Sequence, residues 1–154
     1  MIIPVSFKAL SHITHNIRER DKQEISGILG HCDPEKLVRE TLLATAFGKA
    51  GICIINNEPV SIAGVSPVRN GVWSAWAFGT DNWNSGVISL TRFILRDLHS
   101  YLDGKGAHRA QCESHIAHTD AHKWLSLLGA RHEGILRGYG ADGSDYVMFS
   151  WTRN

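Results

Sequence analysis

The chain has 154 residues, 43% hydrophobic and 20% charged, with a formal net charge of +1. That length is enough for one domain with a substantial core, and the near-neutral balance gives no electrostatic reason to expect nucleic acid or an anionic membrane as partner. Three scattered cysteines, Cys32, Cys53 and Cys112, form no CxxC pair, which argues against a disulfide framework or a zinc knuckle. The start, Met1 to Lys8, lacks a basic region followed by a long apolar run, so no secretory signal is expected. No apolar stretch approaches the ~18 residues of a membrane span.

Ser6 is placed to cap a first helix with Phe7, Leu10, Ile13 and Ile17 at helical spacing, and the charged run Arg18 to Lys22 reads as its solvated end. Gly27, Gly30, His31 and Cys32 read as loop. Asp33-Pro34-Glu35 is a helix start, with an Asp cap, Pro in the first turn and an acid behind it. Leu37, Val38, Leu42 and Ala46 supply the buried stripe, and Gly48 ends the element.

A meander of strands follows. Gly51 to Ile55 and Pro59 to Val65 flank an Asn56-Asn57-Glu58 turn, because asparagine tolerates the positive φ of short hairpins. A turn over Pro67 to Gly71 leads to Val72–Phe78, rich in aromatics. The polar loop Gly79 to Gly86 has helix-start chemistry, and Val87, Leu90, Ile94, Leu95, Leu98 and Leu102 stripe one long helix. Gly104 and Gly106 break it. The tail then reads as a strand over His108 to Glu113, a short helix carrying Ala121, Trp124, Leu125 and Leu128, and Gly129 as its stop. A strand with Ile135 and Leu136, a turn over Gly140 to Asp145 and a closing strand Tyr146–Trp151 complete it. The order α-α-β-β-β-α-β-α-β-β implies an α+β domain over 1–154, with a mixed, mostly antiparallel twisted sheet flanked by helices on both faces.

That order, with His118-x-x-Ala121-x-x-Trp124-Leu125-x-x-Leu128-Gly129 and the ending Glu133-Gly134-Ile135, Asp142-Gly143 and Met148-Phe149-Ser150, resembles the GNAT (Gcn5-related N-acetyltransferase) superfamily across nearly the whole chain. A narrower similarity rests on Arg18-Glu19-x-Asp21, Pro34-Glu35-x-Leu37, Glu58-Pro59-Val60-x-Ile62-x-Gly64-Val65 and Trp76-x-Phe78-Gly79-Thr80-Asp81. These look like the GNAT-like internal virion proteins of tailed bacteriophages.

The resemblance implies acetyl-CoA as cofactor and an amine of a protein or small molecule as acceptor. Its phosphate motif falls on Trp83-Asn84-Ser85-Gly86-Val87-Ile88, where Asn84, Ser85, Gly86, Val87 and Ile88 would offer backbone N–H groups to a pyrophosphate. Trp83 replaces a basic or amide residue there, and Ile88 a small one, so its bulk is expected to crowd the site. Phe78 and Gly79, at the strand end, would hold the pantetheine and polarise the thioester, and His118 and Trp124 would contact the cofactor. Glu113 and His115 are the acid/base candidates, because Leu125 stands where the family commonly holds a tyrosine. The plainer reading of each remains open: a capped helix start for the window, and partly exposed polar residues at strand or helix ends for Glu113, His115 and His118. Metal is not expected, since His118 and His122 lack a following Glu and the Asp142–Asp145 turn lacks a calcium-loop pattern. The virion resemblance implies instead an assembly or interaction protein whose partners are other phage virion proteins, located in the virion or host cytoplasm. A homodimer is compatible with either reading.

Overall fold

A computed structural model describes residues 1–153. Its elements are β1 (Ile2–Ile3), α1 (Phe7–His15), α2 (Glu19–Leu29), α3 (Pro34–Phe47), β2 (Lys49–Ile55), β3 (Glu58–Arg69), β4 (Val72–Gly79) and α4 (Trp83–Phe93). A π-helical turn, Ile94–Leu98, passes into α5 (His99–Gly104), followed by β5 (Arg109–His115), α6 (Thr119–Leu127), β6 (Arg131–Leu136) and β7 (Tyr146–Thr152). The strands form one sheet in the order β1-β2-β3-β4-β5-β7-β6. All neighbours are antiparallel except β4 and β5.

Local chemistry sets several of these boundaries. Ser6 Oγ accepts the Ala9 N–H, and the Asp33 carboxylate accepts the Glu35 N–H behind Pro34. Asn56 and Asn57 take φ of 51° and 63°, the left-handed pair of a two-residue hairpin. Gly129, at φ 91°, turns the chain out of α6 where a Cβ would be strained.

The first third departs from the sequence expectation. It holds three helices, and Arg18 to Lys22 opens the second instead of closing the first. Arg18 is extended (φ −68°, ψ 150°), Ile17 bridges to Thr80, and Glu19 and Asp21 place negative charge in the first turn of α2, where the helix dipole favours it. Asp21 is buried, so the run is no solvated end. Gly27 lies inside α2, and only Gly30, at φ 80°, caps it. Pro67 and Val68 belong to β3, which runs to Arg69 through an irregularity beside Pro67, and β5 extends to His115. The expected long helix is interrupted by its π-turn.

Two apolar cores hold the layers together. On one face of the sheet, Leu10 and Ile13 of α1 and Leu37 and Val38 of α3 pack on Ile52, Ile62 and Phe78. On the other, Leu90, Phe93 and Leu98 join Leu125 and Leu128 over Val65, Ala110 and Phe149. The helices therefore cover both faces, as the order of elements implied.

Candidate functional site

β4 and β5 pair only at Val72–Arg109, Trp73–Ala110 and Ser74–Gln111. Beyond Ser74, β4 stays in register with β3 as far as Gly79, while β5 follows β7 to its end, so the two strands part. Backbone polar groups alternate between the two edges of a strand. Thr80 N–H bonds Val60 O on the β3 side, whereas Gly79 directs its N–H and C=O toward the gap. The same alternation aims the Ala77 N–H and C=O into the gap, past the last rung of the β4–β5 ladder. A cleft of about 450 Å³ opens there and is walled from both faces of the sheet. Trp76, Glu113 and Asp21 contribute from the α2/α3 side, and Ala77, Ser114 and Leu125 from the α4/α6 side.

Helix α2 straps the open end of this gap. Its Asp21 Oδ2 accepts from Gly79 N–H at 2.9 Å and from Arg18 Nε at 2.7 Å, and Arg18 N–H donates to Gly79 O. Burial raises the Asp21 carboxyl above its ordinary range, outweighing the Arg18 contacts that lower it. Arg18 also stacks on Trp83, 4.3 Å from the ring centre. Midway along α2, His118 Nδ1 donates to Glu24 Oε2 at 2.8 Å, and Tyr146 Oη donates to Glu24 O. Burial, then the Glu24 charge, pushes the Tyr146 phenol up to about 12. Near the end of α2, Ala141 N–H bonds Gly27 O, and Gly27 sits so close to the Tyr146 hydroxyl that a Cβ there would collide with it. The helix thus joins β4 to β7 across the space that β5 leaves.

The expected phosphate window is built differently from the motif it resembles. Trp83 N–H is given to Thr80 O and Ser85 N–H to Asn82 O, so of the first three N–H groups of α4 only that of Asn84 lacks a partner among the described residues. Ser85 Oγ donates to Asn82 O, and Val87 O accepts from Thr91. A Cβ on Gly86 would lie 2.8 Å from Cys53 Sγ and 2.9 Å from Val60 Cγ2. This glycine therefore lets α4 approach the sheet, and it is buried. Ile88 is 67% exposed, so its side chain projects from the first turn of α4 instead of packing in the core. Trp124 packs edge-on against Trp83 and donates to Thr91 Oγ1, which places it in the cleft wall.

The remaining candidates divide. Glu113 lines the cleft near the Tyr139 phenol, whose pKa rises through burial and then this carboxylate. Phe78 lines the cleft from the α1/α3 side, where it also belongs to the core, while alternation turns its backbone toward β3, away from the gap. Gly79 faces the gap, but Asp21 already holds its N–H. His115 is buried beside His118 and Tyr146 and lies outside the cleft wall. Its Nδ1 accepts Ala117 N–H, which leaves the proton on Nε2. His118 is taken up by α2. Sequence reading missed Asp21, Ala77 and Ser114. The Arg18–Asp21 spacing of an i,i+3 pair was the one local signal for the first. No group of three or more His, Cys, Asp or Glu among the described residues is placed to hold a metal ion. No described helix is long and apolar enough to cross a membrane.

Solved structures match this architecture. The ribosomal-protein-alanine N-acetyltransferase from Brucella melitensis aligns over 99% of this chain and 99% of its own, with a TM-score of 0.78 and 13% identity. The fold is that of the GNAT acetyltransferases. A GNAT-family acetyltransferase from Streptococcus pneumoniae covers 100% of this chain and 99% of its own at TM-score 0.71 and 14% identity. The GNAT phosphinothricin acetyltransferase from Sinorhizobium meliloti, solved in complex with AcCoA, covers 99% and 87% at TM-score 0.76 and 12% identity. No protein-family model and no curated protein matches the chain in sequence. At such identities the GNAT likeness establishes architecture, and activity has to be argued from the site.

Proposed function

We propose that this chain is an N-acetyltransferase that uses acetyl-CoA to acetylate an amine on a protein or small molecule. The observation that carries the reading is the β4/β5 gap: a cleft through the sheet with an open backbone edge at Ala77 on one wall and a carboxylate, Glu113, on the other. Acetyl-CoA would supply an activated acetyl group. Ala77 N–H and C=O fit an amide-bearing arm laid along β4, and Asn84 N–H offers one bond to a phosphate. Glu113 lies on the α2/α3 side of β5, so it meets an amine arriving from that face and takes its proton as the C–N bond forms. His115, outside the cleft wall, has no part in this scheme.

The test is calorimetry and thermal shift with acetyl-CoA. The expected result is a raised Tm, since ligand at ~100 Kd adds about 2.7 kcal/mol of stability. Ala77→Leu, which fills the gap, abolishes the shift. A wild-type protein indifferent to millimolar acetyl-CoA refutes the enzyme.

A second reading is a GNAT-fold phage internal virion or assembly protein that has lost catalysis and binds other virion proteins. Two observations favour it: the α4 N-terminus is largely self-bonded, and Arg18, the cation stacked on its first residue, is committed to Asp21. Recovery of the chain inside purified virions, together with no response to acetyl-CoA, is the outcome this reading predicts.

A further inference from the structure

Acetyl transfer leaves a thiolate, and something in the cleft must meet its charge. This inference therefore rests on the acetyltransferase reading. On the α4/α6 side, helix α6 presents Ala121, Trp124, Leu125 and Leu128 to the cleft. Three of these carry no hydrogen-bonding group, and the one indole N–H is already donated to Thr91 Oγ1 at 2.9 Å. Thr91 in turn donates its hydroxyl hydrogen to Val87 O. The side chains that α6 turns to the cleft thus have nothing free to offer a leaving group.

Strand β5 does. Side-chain alternation along β5 sends Ala110, Cys112 and Ser114 toward α4 and α6, and Gln111 and Glu113 toward α2 and α3. Ala110 and Cys112 accordingly pack in the same core as Leu125. Ser114 lines the cleft, is 2% exposed, and its Oγ has no hydrogen-bond partner among the described residues. A buried hydroxyl without a partner is costly, and it persists where a ligand or water completes it. Cys112, two residues earlier, is the other polar group on this face of β5, and a thiol is a weak donor.

We propose that Ser114 is a catalytic residue whose hydroxyl donates a hydrogen bond to the sulfur of the acetyl donor as the C–S bond breaks. The geometry divides the labour across the sheet. A donor arm held along Ala77 places its sulfur opposite Cys112 to Ser114, while the amine approaches from the Glu113 side. The amine nitrogen forms the C–N bond and gives its proton to the Glu113 carboxylate. The electron pair of the C–S bond goes to sulfur, which accepts the Ser114 hydrogen bond. Sulfur then takes a proton from water, and Glu113 returns its own to water.

The experiment compares wild type, Ser114→Ala and Ser114→Ala/Leu125→Tyr. Affinities for CoA and for acetyl-CoA are measured as pH rises through thiol ionisation, alongside Tm and thiol release from acetyl-CoA with a panel of primary amines. Wild type is expected to favour CoA over acetyl-CoA increasingly with pH, and Ser114→Ala to lose that preference while keeping its affinity for acetyl-CoA. Thiol release falls roughly a hundredfold in Ser114→Ala and returns in part with Leu125→Tyr. The Tm of Ser114→Ala equals or exceeds that of wild type, because an unpartnered hydroxyl has gone. Unchanged thiol release and pH preference in Ser114→Ala overturn the proposal, as does a lowered Tm, which would assign Oγ a structural partner. If wild type fails to bind acetyl-CoA, the acetyltransferase reading falls and this one falls with it. Wild-type binding and turnover beside an unaffected Ser114→Ala remove Ser114 alone.

Discussion

Replacing Asp21 with alanine is expected to destabilise the fold by about 3 kcal/mol, the lower end of the cost of breaking a buried ion pair. The carboxylate is 6% exposed and holds two donors, Arg18 Nε and Gly79 N–H, at 2.7 and 2.9 Å. Each hydrogen bond to a charged group contributes about 1.5–3 kcal/mol. Relief of the carboxylate's own desolvation, which dominates its raised pKa, subtracts from that sum. For a chain of this size the loss corresponds to a Tm drop of about 6–12 °C, readable by circular dichroism in thermal and urea unfolding. Asp21→Asn keeps one acceptor and lacks the charge, so it loses about 1 kcal/mol. The pH dependence gives an independent check. Because the folded pKa lies above the ordinary 3.8, Asp21 contributes most below 3.8, and that contribution fades as pH rises through the raised value. The stability gap between wild type and Asp21→Asn should therefore narrow as pH increases across that window. An Asp21→Ala protein as stable as wild type refutes the clasp, and a gap that widens with pH refutes the raised carboxyl pKa.

Three further predictions follow from single contacts. Gly86→Ala forces a Cβ against Cys53 and Val60 and should cost about 1–3 kcal/mol of stability by overpacking. A Gly86→Ala protein with wild-type Tm but altered acetyl-CoA affinity would restore the phosphate role. Glu133 is held at about 2 by Arg109 and then Ser150, so its contribution is present above the ordinary 4.5 and lost as pH falls toward 2. Glu133→Gln should flatten that part of the acid-unfolding curve, and the difference should shrink in high salt because the pair is partly exposed. His118→Ala unties the middle of α2 from α6, which should speed amide hydrogen exchange in α2 while leaving acetyl-CoA affinity unchanged.

Local codes in the chain were legible because they are self-contained. Asp33-Pro34-Glu35, Asn56-Asn57 and Gly129 specify their turns and caps through groups within three residues of one another, and each is built as read. The spacing of the tail likewise placed β5, α6, β6 and β7 in order. Asp21 illustrates what such reading misses. Beside four other charged residues it looks solvated, and only Gly79, 58 positions away, shows it to be buried. Gly86 illustrates the reverse: it sits in the right motif position, yet its neighbours Cys53 and Val60 reveal a packing glycine. Ala77 and Ser114 were unreadable as site residues, because their meaning depends on where β4 and β5 part. That divergence is set by β5 following β7, a pairing that no short stretch of sequence displays.

The three-rung junction between β4 and β5 also bears on how the chain folds. It is the one parallel contact in the sheet, and its strands are separated by the whole of α4, the π-turn and α5. The β2–β3 and β3–β4 hairpins close over short loops, whereas this junction requires a long loop to be ordered before it gains any contact. The expected sequence of events is early formation of the two antiparallel blocks and late docking of one on the other. The cleft would then lie along the last seam to form and the first to loosen, and a molecule lodged in it would slow unfolding more than it speeds folding.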